Sequence, residues 1–253
     1  MKLSHTLSVI VFCLFSIKAI AQKNLPDSVV RVSLFEASVS LHEPGGDLKK
    51  NFGSSTNLNV AFHHKTKSNW TFGAQVSFLT GGNVKNQAKL VENIISSTGP
   101  IGLDGRTTQI SMNERGMNFS ANLGKIYPVF GPNKNSGLWV QFGLGYIYHK
   151  IKMEDITNST PIFLDDEILK GYDQLSAGLS TIQGIGYLHL SNQKVLNFYV
   201  GLEFIQGFTK NLRKYSYLEM NKVEDTNFDS LIGFKMGWVI PTYKRETDKY
   251  HFY

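Results

Sequence analysis

Asn69-Trp70-Thr71-Phe72-Gly73-Ala74-Gln75-Val76-Ser77-Phe78 alternates apolar residues with small polar ones without a break. Successive side chains of a β-strand point to opposite faces, so Trp70, Phe72, Ala74, Val76 and Phe78 share one face and Thr71, Gly73, Gln75 and Ser77 the other. In a soluble sandwich the apolar face would be a core. In a membrane-spanning barrel the same face meets lipid, and the small polar face fills the lumen. The neighbours of this stretch decide between the two.

Seven more stretches alternate in the same way. The first, about 31–41, sets Phe35, Ala37, Val39 and Leu41 against Leu34, Glu36, Ser38 and Ser40, and His42-Glu43-Pro44-Gly45-Gly46 is expected to end it. The second, about 56–63, opposes Leu58, Val60 and Phe62 to Asn57, Asn59 and Ala61. After the Trp70 strand, the fourth opposes Met117, Phe119, Ala121 and Leu123 to Asn118, Ser120, Asn122 and Gly124, and the fifth opposes Leu138, Val140, Phe142, Leu144, Tyr146 and Tyr148 to Trp139, Gln141, Gly143, Gly145 and His149. In the sixth, about 174–190, Leu175, Ala177 and Leu179 face away from Ser176, Gly178 and Ser180. There Thr181 and Gln183 break the apolar phase, which points to a bulge. The seventh sets Phe198, Val200, Leu202 and Phe204 against Asn197, Tyr199, Gly201 and Glu203, and the eighth, about 228–240, sets Ile232, Phe234, Met236, Trp238 and Ile240 against Gly233, Lys235 and Gly237.

The connections alternate long and short, with short turns at 65–68, 128–137 and 191–194 and long loops at about 42–55, 79–116, 150–173 and 208–227. An even strand number follows, with both termini at the short-turn end. The expected fold is all-β, an eight-stranded antiparallel transmembrane up-and-down β-barrel. Bacterial outer-membrane barrels place short turns in the periplasm and long loops outside, so a Gram-negative outer membrane is the expected location. Trp70, Tyr127, Trp139 and Trp238 fall near strand ends and are expected as interfacial aromatics. Within the second long loop Val84, Ala88, Val91 and Ile95 recur at helical spacing, predicting a short amphipathic helix packed on loop residues such as Phe163 and Leu164.

Lys2, an apolar run over 7–15 and Ala19-Ile20-Ala21 read as a signal peptide over 1–21, with the barrel over 22–253. Cys13, the only cysteine, lies inside the apolar run without the small residues that precede a lipidated cysteine, and cleavage would remove it. The mature chain would then hold no thiol, disulfide or thiolate metal site. The formal charge of +6 falls to +4 once Lys2 and Lys18 are removed, and the cations are scattered, with no basic aromatic stripe of the kind nucleic acid requires. After the leader no apolar run reaches the roughly eighteen residues of a spanning helix, so a membrane form must be a closed barrel that pairs every backbone group.

The chain resembles the eight-stranded outer-membrane barrels of the OmpA and OmpX type. It is more similar to small Bacteroidota barrels through Tyr127-Pro128-Val129-Phe130-Gly131-Pro132-Asn133, Gly233-Phe234-Lys235-Met236-Gly237-Trp238 and Pro241-Thr242-Tyr243-Lys244-Arg245. The resemblance implies partners in outer-membrane lipid and lipopolysaccharide, and in the barrel-assembly machinery, which reads a terminal aromatic such as that of Tyr250-His251-Phe252-Tyr253. Pro241 and the charged stretch 244–249 separate that tail from strand eight, so the strand around Gly237 is an alternative insertion signal.

Three functional readings are carried forward. The first is a non-enzymatic barrel whose loops bind at the cell surface or support the envelope, with no cofactor. The second, implied by the Bacteroidota resemblance, is an accessory subunit of an envelope assembly such as the type IX secretion or gliding machinery, with an envelope protein as partner. The third is a barrel enzyme acting on lipid A or peptides: His189 and Ser191 resemble the histidine and serine of lipid A deacylase barrels, although they fall at the periplasmic end. Glu36, Glu203 and Lys235 face inward on strands that become neighbours on closure and are expected to form a luminal ion network, a plug rather than a path, because eight strands leave room only for side chains. His63 and His64 alternate faces and so do not share a metal, and Asp165-Asp166-Glu167 lacks the spaced ligands of a calcium loop.

Overall fold

The computed structural model describes residues 28–91, 109–156, 170–192, 196–213 and 226–243. Its strands are β1 (Val32–Gly46), β2 (Ser55–Lys65), β3 (Trp70–Gly81), β4 (Ile110–Tyr127), β5 (Gly137–Asp155), β6 (Ser176–Leu190), β7 (Asn197–Asn211) and β8 (Thr226–Tyr243). Each pairs antiparallel with the next, and β8 returns to β1 from Val32↔Tyr243 to Gly46↔Asp229. Two short helices, α1 (Leu48–Asn51) and α2 (Gln87–Val91), belong to the first two long connections. No helix among the described residues is long and apolar enough to cross a membrane.

The expected alternation is realised around the ring. Val60, Phe72, Phe119, Leu144, Leu202 and Met236 stand exposed on the outer wall, whereas Asn59, Gln75, Asn118, Glu203 and Lys235 are buried within. This reverses the usual relation of a protein to water, and only a hydrocarbon solvent makes it stable. About ten residues of a tilted strand cross hydrocarbon. The 18 residues of β4 and 19 of β5 therefore carry their ladder well beyond it at the long-loop end.

The sequence places several strand ends too early. Pro44 and Pro241 were expected to stop their strands, yet β1 runs on to Gly46 and β8 to Tyr243. In each case one ladder has already ended, at His42↔Ser55 on the β2 side and at Phe198↔Trp238 on the β7 side. The prolines thus sit on one-sided extensions, the edge-like setting in which a missing N–H is tolerated. Strand six has no bulge, for its register is unbroken from Ser176 to Leu188 against β5 and to Leu190 against β7. Thr181 and Gln183 keep the outward phase and are simply polar. In the β2–β3 turn Asn69 adopts φ 62, a left-handed position that asparagine tolerates.

Two apolar clusters fill the lumen ends. At the short-turn end Leu34, Ile126, Trp139, Leu188, Leu190, Tyr199 and Val239 are buried together. Room for the Tyr199 ring comes from Gly186 and Gly201: a Cβ at Gly186 would lie 2.7 Å from Tyr199 Cε2, and one at Gly201 2.5 Å from its hydroxyl. At the long-loop end Leu48, Phe52, Val84 and Leu90 pack on Leu79, Met112, Ile147 and Ile151, so the described part of the second long loop lies across the barrel mouth. The expected helix is present in part, but its buried face differs. Ala88 is exposed and Leu90 is buried, while Val84 precedes the helix in an isolated bridge to Phe52. Ile95, Phe163 and Leu164 lie outside the described residues, as do the signal-peptide stretch 1–21, Asp165-Asp166-Glu167 and the tail 250–253.

Candidate functional site

Between the two apolar clusters lies a layer of charge. Lys235 Nζ stands 3.0 Å from Glu36 Oε1 and 3.3 Å from Glu203 Oε1, and donates to Gln75 Oε1 at 2.8 Å. An ammonium has three donors, and here each has an acceptor. Glu36 Oε1 also accepts from the Ser38 hydroxyl at 2.7 Å, and Glu203 Oε1 from Gln75 Nε2 at 3.3 Å. His42 Nε2 is 3.4 Å from Glu203 Oε2, and Lys235 lies 5.7 Å from the centre of the Tyr199 ring. The structure thus brings together Glu36, Glu203 and Lys235, the three residues singled out in the sequence. Sequence reasoning missed Gln75 and His42, which complete the layer. Gln75 was already on the inward face of its strand, but His42 lay beyond the expected end of β1.

Above this layer His149 Nε2 and the Thr209 hydroxyl meet Asp229 Oδ2 at 3.0 and 2.6 Å. Below it Lys65, fully buried, donates to Val30 O at 3.1 Å and Asn135 Oδ1 at 2.8 Å, tying residues before β1 across the short-turn end. Each level is closed by side chains, as an eight-stranded interior permits. The arrangement is suited to rigidity rather than passage.

Trp139 requires a correction. It does not lie at the membrane interface but is 0% exposed within the lumen, where its Nε1 donates to Thr71 Oγ1 at 2.9 Å and its ring meets His63 edge-on at 4.9 Å. The residue alternates inward with Gln141 and Gly143, and parity overrides its nearness to a strand end. Trp70, Tyr127 and Trp238 stand on the outer wall. His64 faces outward, its ring 3.3 Å from the Ser33 hydroxyl. His189 is also on the outer wall, stacked on Phe198 at 4.9 Å, and the Ser191 backbone N–H donates to Asn197 Oδ1.

A polar recess opens at the long-loop end. Lys150, Ile151, Lys152, Met153, Lys170, Asp173 and Arg213 line a cavity of about 330 Å³. Arg213 grips Asp173 with two donors, Nε to Oδ1 at 2.8 Å and Nη2 to Oδ2, and this hydrogen-bonded carboxylate raises the guanidinium above its usual range. Asp173 is held in turn by Ile151 N–H on its carbonyl at 2.7 Å and by Leu175 N–H on its carboxylate at 3.2 Å. Lys152 reaches Glu154 at 2.6 Å. Lys150 and Lys152 continue the outward phase of β5 past Tyr148, and Arg115 is the register partner of Lys150 on β4. That change from aromatic to cationic side chains was legible in the sequence. The joining of Asp173 to Arg213 across two loops was not.

A closed ring of eight antiparallel strands with an apolar outer wall and a filled interior defines a transmembrane β-barrel. The chain is similar to three solved barrels: Ail of Yersinia pestis (10% identity, 83% of this chain and 98% of that one, TM-score 0.43), OprG of Pseudomonas aeruginosa (13%, 86% and 98%, 0.38) and Neisserial surface protein A (10%, 81% and 96%, 0.37). No family model matches the chain, and no curated protein matches its sequence.

Proposed function

We propose that this is a non-enzymatic barrel of a Gram-negative outer membrane whose work is done at its long-loop end, where the cationic recess takes the phosphate groups of lipopolysaccharide. The recess carries this reading. Lys150, Lys152, Lys170 and Arg213 surround a single lining carboxylate, Asp173, which is already engaged by Arg213. Lys150 follows directly above Tyr148 and Tyr146 on the outward face of β5, the height at which lipid headgroups begin. Lysine is a point charge for phosphate, and the Arg213–Asp173 fork fixes the wall of the recess. The barrel-assembly machinery would be its partner during insertion.

The test has two arms. On intact cells a maleimide should label Lys85→Cys, beside the capped mouth, and leave Lys67→Cys in the β2–β3 turn unlabelled; the reverse would invert the topology. Purified barrel in nanodiscs should bind lipopolysaccharide more tightly than its dephosphorylated form. Replacing Lys150 and Lys170 by Glu should weaken binding about tenfold or more, roughly 1.4 kcal/mol. Equal binding of both lipids, or no effect of the double variant, would sink the reading.

A further inference from the structure

On the outer wall of β6, β7 and β8 polar residues interrupt the apolar band, between outward apolar residues of the same strands. On β7 Gln206 sits between the outward Phe204 and Phe208, and on β6 Thr181 and Gln183 sit between the outward Leu179 and Ile185. Thr181 and Gln206 are register partners. The Thr181 hydroxyl donates to Gln206 Oε1 at 2.7 Å and accepts from Gln183 Nε2 at 3.1 Å. Among the described residues, both Gln206 Nε2 hydrogens and the Gln183 carbonyl have no partner. The row continues through Ser230, the register partner of Gln206, to Gly45, whose added Cβ would meet Ser230 Oγ at 2.4 Å. Four adjacent outward positions thus hold no large apolar side chain, and Phe208, Phe228 and Ile232, each about half exposed, rim the resulting dent.

Free amide groups facing hydrocarbon are costly, because lipid tails offer no hydrogen bonds. Their partner must present a donor and an acceptor at the same depth. A second copy does so by symmetry: a two-fold axis parallel to the membrane normal preserves depth, so Gln206 meets Gln206. The amide carries both donor and acceptor and therefore complements itself, and the small residues beside it let two walls approach. We propose that this β6–β8 sector is a dimer interface of the barrel, closed by hydrogen bonds among the Gln183 and Gln206 amides of two copies. It requires only that the wall stand in lipid and is independent of the cationic recess.

The test uses the full chain in native membranes, with Cys13 replaced by Ser. A short bis-maleimide should link Phe204→Cys into a dimer and leave Val60→Cys, on the opposite wall, monomeric. A Thr181→Val, Gln183→Leu, Gln206→Leu variant, which keeps the wall lipid-compatible, should lower the dimer fraction several-fold while still giving a heat-shifted folded band. Gln206→Trp should do the same by blocking close approach should the triple variant misfold. Equal linking at both walls, a dimer indifferent to these variants, or linkage of Phe204→Cys to a different protein would overturn the proposal.

Discussion

Lys235 Nζ lies 3.0 Å from Glu36 Oε1 across the seam where the last strand meets the first. The pair links the two ends of the fold in the middle of the lumen, and Glu203 on β7 extends it to a third strand. Replacing Lys235 by Met leaves two buried carboxylates without their shared cation. Loss of one member of a buried ion pair typically costs about 3–5 kcal/mol. We expect urea unfolding in lipid to show a loss of that order, and Glu36→Gln with Glu203→Gln in the same chain to recover most of it. An unchanged midpoint for Lys235→Met would show that the layer contributes nothing to the closed state.

The three tryptophans divide by environment. Trp139 is enclosed in the lumen, whereas Trp70 and Trp238 are 39% and 63% exposed on the outer wall. Brominated lipid should quench the emission of chains that retain Trp70 or Trp238 alone and leave Trp139 alone unquenched. Trp139→Ala should destabilise by about 3–5 kcal/mol, the range for emptying a large core site, while Trp238→Ala should cost far less. Strong lipid quenching of Trp139 would place it back at the interface.

These tryptophans also show where sequence reading works and where it stops. Parity along a strand is strictly two, so the faces of β3, β5, β7 and β8, and with them Glu203 and Lys235, follow from alternation alone. A rule based on distance from a strand end misplaced Trp139 because it set that parity aside. Strand ends were misjudged at Pro44 and Pro241 for another reason: whether proline stops a strand depends on which neighbour is still paired, a property of the closed ring. In the sequence Thr181 and Gln183 break the apolar phase, which points to a bulge. Only the register revealed that they stay in phase and belong with Gln206. The recess was least legible, since Asp173 and Arg213 meet across separate loops.

Asp47 ties the first long loop to β8. Its backbone N–H donates to Phe228 O at 2.8 Å, and its carboxylate accepts from Lys50 Nζ at 2.7 Å and from Phe228 N–H at 2.9 Å. The hydrogen bond from Lys50, then that from Phe228, hold this carboxyl below the usual aspartate range. A depressed folded value means the tie is complete above the unfolded value, about 3.9, and is lost as pH falls through the folded one. The Phe228 amide shift, followed by NMR, should therefore hold steady from pH 7 to about 4 and titrate below it. Asp47→Asn should abolish that transition, and a wild-type midpoint above pH 4 would contradict the geometry.

The filled interior bears on conductance. A path through the barrel would have to pass Lys65 with Asn135, then Trp139 with Tyr199, then the Lys235 layer, and finally the cap of Phe52, Val84 and Leu90 on Ile147 and Ile151. Lys65, Trp139, Tyr199, Lys235, Phe52 and Ile151 are each 2% exposed or less, so each of these levels is closed at the side chains named. Opening a continuous file for water means breaking the buried ion pairs of Lys235 with Glu36 and Glu203 and two apolar plugs together, and each alone resists displacement. Pure protein in planar bilayers should therefore give no stable single-channel steps at any moderate voltage. Removing one plug, as in Trp139→Ala, should still give none, because the ionic layer and the cap remain. Discrete steps from the wild-type chain would show that these layers part together and that the lumen is a gate.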